Sequence, residues 1–167
     1  SVLVTFEPHP LTVVAPERAP ALLTTPAEKR LLWPLFELDY VLVLPFTPGL
    51  RETSAEEFVR GILVERLRVG ELVIGHDHGF GKDRKGDVHV LRLLGEQEGF
   101  DVDVVGPVTG AGEAPVSSSS VRRAVAEADF GRAAAGLGRP YTVLGTVERG
   151  AGRGRALGYP TANLRPD

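Results

Sequence analysis

Strand-length apolar runs and helix signals take turns along most of the chain, and this alternation limits the possible folds more than any other feature of the sequence. "SVLVTF" is a short β-branched run that breaks at "EPHP", where Pro8 and Pro10 cannot continue a central strand. In "TTPAEKRLLWPLF", Thr25 is an N-cap with Pro26 at the first helical position, and Pro34 must kink or end the helix carrying Leu31, Leu32 and Leu35. "YVLVLPF" is continuously apolar, the pattern of a strand buried on both faces. Ser54 and Glu57 have capping-box spacing ahead of Phe58, Ile62 and Leu63 on one helical face. "ELVIG", the charged loop "HDHGFGKDRKGD", the helical "VHVLRLLGEQEG" and the strand "FDVDVVGPV" complete the series.

The order β, α, β, α, β, loop, α, β predicts an α/β fold with a parallel sheet and helices on its faces, ligands lying beyond the carboxyl ends of the strands. The loops "EPHP", "GHDHGFGKDR" and "TGAGEAPVSSSS" all follow strands, so all three are expected on one rim. "SSSSVRRAVAEADFGRAAAGLG" reads as a capped helix and a second short one, ended by Gly138 and Pro140. From Tyr141 the alternation of "YTVLGTVERG" is that of an antiparallel strand, which places a domain boundary near residue 139.

A chain of 167 residues suits one domain plus part of another. With 43% hydrophobic and 25% charged residues it is ordinary globular material. A net charge of -3 and a pI near 5.8 argue against a protein that coats nucleic acid. No apolar run reaches membrane-span length, and no signal core opens the chain. The absence of cysteine rules out thiolate chemistry and fits a reducing cytoplasm. No methionine is present, so Ser1 is not expected to be a natural start, and a segment is expected upstream.

Chemistry concentrates in three places. In "VSSSSVRR" hydroxyls and free backbone N–H groups meet at a helix N-terminus with Arg122 or Arg123 one turn in, a phosphate cradle; the alternative is one capping serine among solvated ones. In "GHDHGFGKDRKGD", His76, Asp77 and His78 can be read as metal ligands, but neighbours in an extended loop point apart. The stronger reading is a flap with Gly75, Gly79, Gly81 and Gly86 as hinges, Lys82, Arg84 and Lys85 as phosphate charges and Phe80 as a ring; a plain solvated loop is the other. "GAGRGRALGYPTAN" matches neither GxxxxGK[ST] nor a dinucleotide glycine fingerprint. It still offers glycines, arginines and the hard oxygens of Thr161 and Asn163, in a turn that is otherwise a glycine-rich hairpin.

In order along the chain, "VTFEPHP", "LLTT", "VLVLPFT", "SAEEFV", "VIGHDHGFGKDRKGD", "VSSSSVR", "GRPY" and "GRGRALGYPTANL" resemble the bifunctional riboflavin kinase/FMN adenylyltransferases, the prokaryotic-type FAD synthetases. The resemblance implies a Rossmann-like nucleotidyltransferase domain over 1–139, truncated at its N-terminus, and over 140–167 the first strands of a riboflavin kinase β-barrel, truncated at its C-terminus. It implies ATP, Mg²⁺, riboflavin and FMN as small-molecule ligands and FAD as product, with no nucleic-acid or membrane partner and a cytoplasmic location. Oligomeric state and a catalytic residue are not indicated.

By the same resemblance Ser117, Ser118, Ser119 and Arg122 bind ATP. Phe6, Pro8, His9, Asp77 and Phe80 line the flavin side. Gly152, Arg153, Gly154 and Gly158 shape the kinase nucleotide loop, and Thr161 and Asn163 help to hold magnesium. The sequence departs from the family at His76 and His78, where an acidic residue and an aromatic are commoner, and at Tyr159, where phenylalanine is. The family's upstream His-x-Gly-His motif and the kinase's downstream glutamate are not in the chain. Two rivals remain: another nucleotidylyltransferase of this fold, and a non-catalytic flavin or nucleotide-binding module.

Overall fold

Short local signals set the helix boundaries in the computed structural model, which describes residues 1–82, 85–109 and 115–166. The elements are β1 (Val2–Glu7), α1 (Pro10–Val14), α2 (Pro26–Leu32), β2 (Tyr40–Pro45), α3 (Pro48–Glu52), α4 (Ala55–Phe58), β3 (Glu71–Gly75), α5 (Val88–Glu98), β4 (Asp101–Val105), α6 (Ser118–Ala126), α7 (Phe130–Leu137), β5 (Gly145–Glu148), α8 (Arg153–Ala156) and β6 (Asn163–Pro166). Thr25 and Glu28 close a capping box on α2, and Ser54 and Glu57 close another on α4. Helix α2 stops at Leu32 and tightens into a 3₁₀ turn through Pro34. Gly138 ends α7 at φ 67°, a left-handed cap suited to glycine.

The chain divides into two compact units. One contains Ser1–Glu7, Pro20–Leu44 and Ser117–Asp167; the other contains Pro8–Ala19 and Pro45–Val116. In the second unit β3 and β4 pair in parallel, with Glu71 opposite Asp101 and Gly75 opposite Val105. Ile74, Leu91, Leu94 and Phe100 are buried, as are Ala55, Val59 and Leu63. Beyond α4 the helix widens over Val59–Val64 into π turns, with Glu65 N–H reaching the Arg60 carbonyl and Leu67 N–H the Ile62 carbonyl. Both helical types place Val59 and Leu63 inward, which is why the spacing of Phe58, Ile62 and Leu63 fits either.

In the first unit β1 pairs with β2, and β5 pairs antiparallel with β6, Gly145 opposite Pro166. Val121, Ala124 and Ala133 form a buried cluster where α6 meets α7, with Leu23, Val125 and Leu137 packed on it. The antiparallel strand expected from Tyr141 is confined to Gly145–Glu148.

Three expectations need correction. The described strands pair two by two instead of forming one sheet. Strand β2 is only half-buried along Val41–Leu44, and Tyr40 keeps 71% of its surface exposed. An unbroken apolar run measures capacity for burial, and here each face is covered only in part. "EPHP" also does not remain a loop: His9 caps α1, its Nδ1 accepting the Leu11 N–H at 3.2 Å, and Pro10 takes the first helical position.

Candidate functional site

Helix α6 is closed by a reciprocal pair. The Ser117 hydroxyl accepts the Ser120 N–H at 3.1 Å, and the Ser120 hydroxyl accepts the Ser117 N–H at 3.0 Å. Ser118 and Ser119 occupy the first two helical positions, exposed, where backbone N–H groups have no intrahelical acceptor. One turn on, Arg122 is held from the other side: its Nε donates to the Ala21 carbonyl at 2.7 Å. The buried Val121 and Ala124 fix the helix, so two amides, two hydroxyls and one anchored guanidinium sit within a turn of one another. The arrangement suits an anion. Ser117, also expected to bind ATP, has its hydroxyl engaged in the cap.

In the other unit, loops leave the same end of β3 and β4, and the His76 N–H donates to the Val105 carbonyl there. His76, Asp77, His78, Asp87, Val88, His89 and Arg92 line an open cleft of about 430 Å³. The sequence singled out His76, Asp77 and His78 of this lining and passed over Asp87, His89 and Arg92. The available signal was Asp87 as the N-cap of α5, accepting the Val90 N–H at 2.9 Å, with His89 and Arg92 following in the first turns of that helix. Among the described residues no group of three or more histidine, aspartate or glutamate side chains is placed to hold a metal ion.

Phe80 and Gly86 exchange backbone hydrogen bonds at 3.0 Å. The Phe80 ring meets Phe58 edge-on at 5.7 Å and lies 5.5 Å from the His78 ring. A Cβ on Gly81, whose φ is +71°, would lie 2.7 Å from the Ala55 nitrogen, and one on Gly86 would lie 2.5 Å from Phe80 Cε1. These two glycines thus permit close approach to the start of α4. Lys82 pairs with Glu52 at 2.7 Å, and its N–H donates to the Thr53 carbonyl. That ammonium holds the Glu52 carboxyl below its ordinary range, the hydrogen bond being the larger cause and the charge the second. Arg84, expected to contribute charge here, and residues 110–114 of the loop after β4 lie outside the described residues.

Of the other flavin-side candidates, Pro8 and His9 belong to the unit that holds Asp77 and Phe80, while Phe6 lies half-buried on β1 in the unit that holds Ser118. At the terminal loop Gly152 and Gly158 have φ of +70° and +79°. A Cβ on Gly154 would collide with the Tyr159 carbonyl and lie 2.9 Å from Thr161 Oγ1; one on Gly150 would collide with the Asn163 amide. The glycines thereby let the Thr161 hydroxyl and the Asn163 side-chain amide fold over the backbone. Arg153 is exposed beside them.

Known proteins resemble the chain along both parts of its length. A family model described as FAD synthetase matches residues 1–120, and one described as riboflavin kinase matches 137–167. A Pseudomonas fluorescens protein named bifunctional riboflavin kinase/FMN adenylyltransferase is 43% identical over 99% of this chain and 52% of its own length. One of the same name from Escherichia coli (strain K12) is 37% identical over 95% and 50%. A Streptococcus pneumoniae crystal structure described as a macrolide-efflux protein superposes with a TM-score of 0.83 at 27% identity, covering 99% of this chain and 53% of that one. The chain spans about half the length of the curated relatives it matches. Among the described residues no helix is long and apolar enough to cross a membrane. With the FAD synthetase model matched over residues 1–120 of 167, the chain belongs to the FAD synthetase family.

Proposed function

We propose that the protein containing this chain makes FAD in two steps, phosphorylating riboflavin to FMN and then adenylylating FMN. The observation that carries this reading is the α6 terminus, where exposed Ser118 and Ser119 stand one turn from an Arg122 already fixed by the Ala21 carbonyl. In the second step an FMN phosphate oxygen attacks the α-phosphorus of ATP, and the bond to pyrophosphate breaks. Such transfers need alignment and charge neutralisation more than a covalent partner, which fits a site of serine, glycine and arginine. The Ser118 and Ser119 amides and hydroxyls hydrogen-bond phosphate oxygens, and Arg122 offsets their charge. Pro8, His9, Asp77 and Phe80 face the flavin in this reading, and Phe6 is assigned there by resemblance alone.

The boundary between the two regions is proposed near residue 139, the first being a Rossmann-like nucleotidyltransferase and the second, 140–167, the opening of a β-barrel. The terminal loop accepts a magnesium–nucleotide by its donor set: Thr161 and Asn163 supply uncharged hard oxygens above Gly150 and Gly154. With phosphates supplying the remaining ligands, the bound ion would neutralise charge on ATP, and Gly152, Arg153 and Gly158 would shape and screen the loop. We assign the protein to the cytoplasm, without nucleic-acid or membrane partners.

The test is a chromatographic assay of flavins with ATP and Mg²⁺. The expected result is FMN and FAD from the protein carrying both regions and essentially no FAD from the 167-residue chain alone, because the family's upstream ATP-binding motif is outside it. FAD made at an undiminished rate by a protein carrying Arg122→Ala would overturn the assignment.

A further inference from the structure

Glu28 is the buried charged side chain among the described residues, with 8% of its surface exposed. Its capping duty on α2 uses one oxygen: Oε2 accepts the Thr25 N–H at 2.7 Å. Its other oxygen, Oε1, accepts the Leu144 N–H at 2.7 Å, across 116 residues of sequence. Glu57 shows what capping alone requires, since in the same motif it accepts the Ser54 N–H at 2.8 Å and remains exposed. The burial and second bond of Glu28 are therefore additional to the cap.

The stretch that arrives at Glu28 is itself folded. Arg139 donates through Nη1 to the Pro140 carbonyl at 3.0 Å and to Thr142 Oγ1 at 3.4 Å. Leu144 immediately precedes β5, and Glu28, Arg139 and Leu144 all belong to one compact unit. The FAD synthetase match ends at 120 and the riboflavin kinase match begins at 137, so this bond ties a residue of the first region to the entry of the second. The Leu144 bond is also the largest cause holding the Glu28 carboxyl below its ordinary range, with the Thr25 backbone bond next and the Arg139 charge among the smaller ones.

We propose that Glu28 is a positioning residue that joins the two matched regions, fixing the chain from Arg139 to Leu144 so that β5 starts from a set place on the first turn of α2. The segment is thus a built joint and not a slack linker.

Amide hydrogen exchange on the full chain tests this with Glu28→Gln and Glu28→Asp, and with Glu57→Gln as the control that removes a cap carboxylate and nothing else. Losing the charge in Glu28→Gln, or the reach of one methylene in Glu28→Asp, should speed exchange at Leu144 by about tenfold or more, while α6 and α7 exchange as before. Selective proteolysis between Gly138 and Gly145 should appear in the same two variants and not in the control. A purely global loss of stability would raise exchange everywhere alike, and would overturn the proposal. So would Leu144 protection unchanged in either folded Glu28 variant, with Glu28→Asp decisive if Glu28→Gln does not fold.

Discussion

The backbones of Phe80 and Gly86 bond to each other in both directions, and the space a side chain would need at Gly86 is filled by the Phe80 ring and by Ala55. Gly86→Ala should therefore force the ring off Phe58, because its Cβ would lie 2.5 Å from Cε1 and 2.8 Å from the Ala55 Cβ. Overpacking of this kind costs about 1–3 kcal/mol. Urea denaturation should show that loss, and flavin binding in the protein carrying both regions should weaken with it; a variant of unchanged stability would mean that this loop is not seated on α4.

The proposed site divides the serines into structural and ligand-facing members. Ser117→Ala removes a cap and should lower stability by about 1 kcal/mol. Ser118→Ala should change stability by less than about 0.5 kcal/mol and act instead on nucleotide affinity. Arg122→Ala should weaken nucleotide binding about 10–100-fold, the range for a lost charge-assisted hydrogen bond. Calorimetric titration with ATP and thermal unfolding, applied to all three, would separate the roles, and equal effects of Ser117→Ala and Ser118→Ala on affinity would erase the distinction.

The N-terminal turns of α2 and α4 were legible because a capping box needs only four neighbouring residues: Thr25 with Glu28 and Ser54 with Glu57 could be read from the letters. The placement of Ser118, Ser119 and Arg122 in the opening turns of α6 was legible for the same reason. The anchor of Arg122 at Ala21 was not, since nothing local pairs residues 101 apart in sequence. The second bond of Glu28 and the seating of Gly86 on Ala55 were hidden likewise, being properties of tertiary approach. Periodicity could not separate α-helical from π turns over Val59–Val64, because Val59 and Leu63 face inward in both.

Acid should act on the carboxylates that the fold holds ionised. Glu28, Glu52 and Glu57 all have lowered values, from the Leu144 N–H, the Lys82 hydrogen bond and the Ser54 N–H respectively. A lowered folded value gives stability that is fully present above the unfolded value, about pH 4.3 for glutamate, and is lost as pH falls below it. The melting temperature should hold from neutrality to about pH 5 and decline below about pH 4. The difference between wild type and Glu28→Gln should shrink over that decline, and a difference that stayed constant to pH 3 or so would contradict the assignment.

At the terminal loop, Gly154→Ala places a Cβ against the Tyr159 carbonyl and Thr161 Oγ1. In the protein carrying both regions, riboflavin phosphorylation should fall at least about tenfold while adenylylation of supplied FMN persists, since the change disturbs positioning at one site only. Loss of both reactions together would show that this loop serves more than the kinase step.

The π turns between Val59 and Val64 make that helix a register device. A sixteen-membered hydrogen-bonded ring accommodates one more residue than the α-helical ring, so excising a single residue there would let the backbone relax to ordinary winding. Everything downstream would then keep its facing, whereas the same excision from an ordinary α-helix turns all that follows by about 100°. A one-residue shortening that would misdirect the buried face of an ordinary helix is at this spot absorbed by the winding, with Val59 and Leu63 still facing inward.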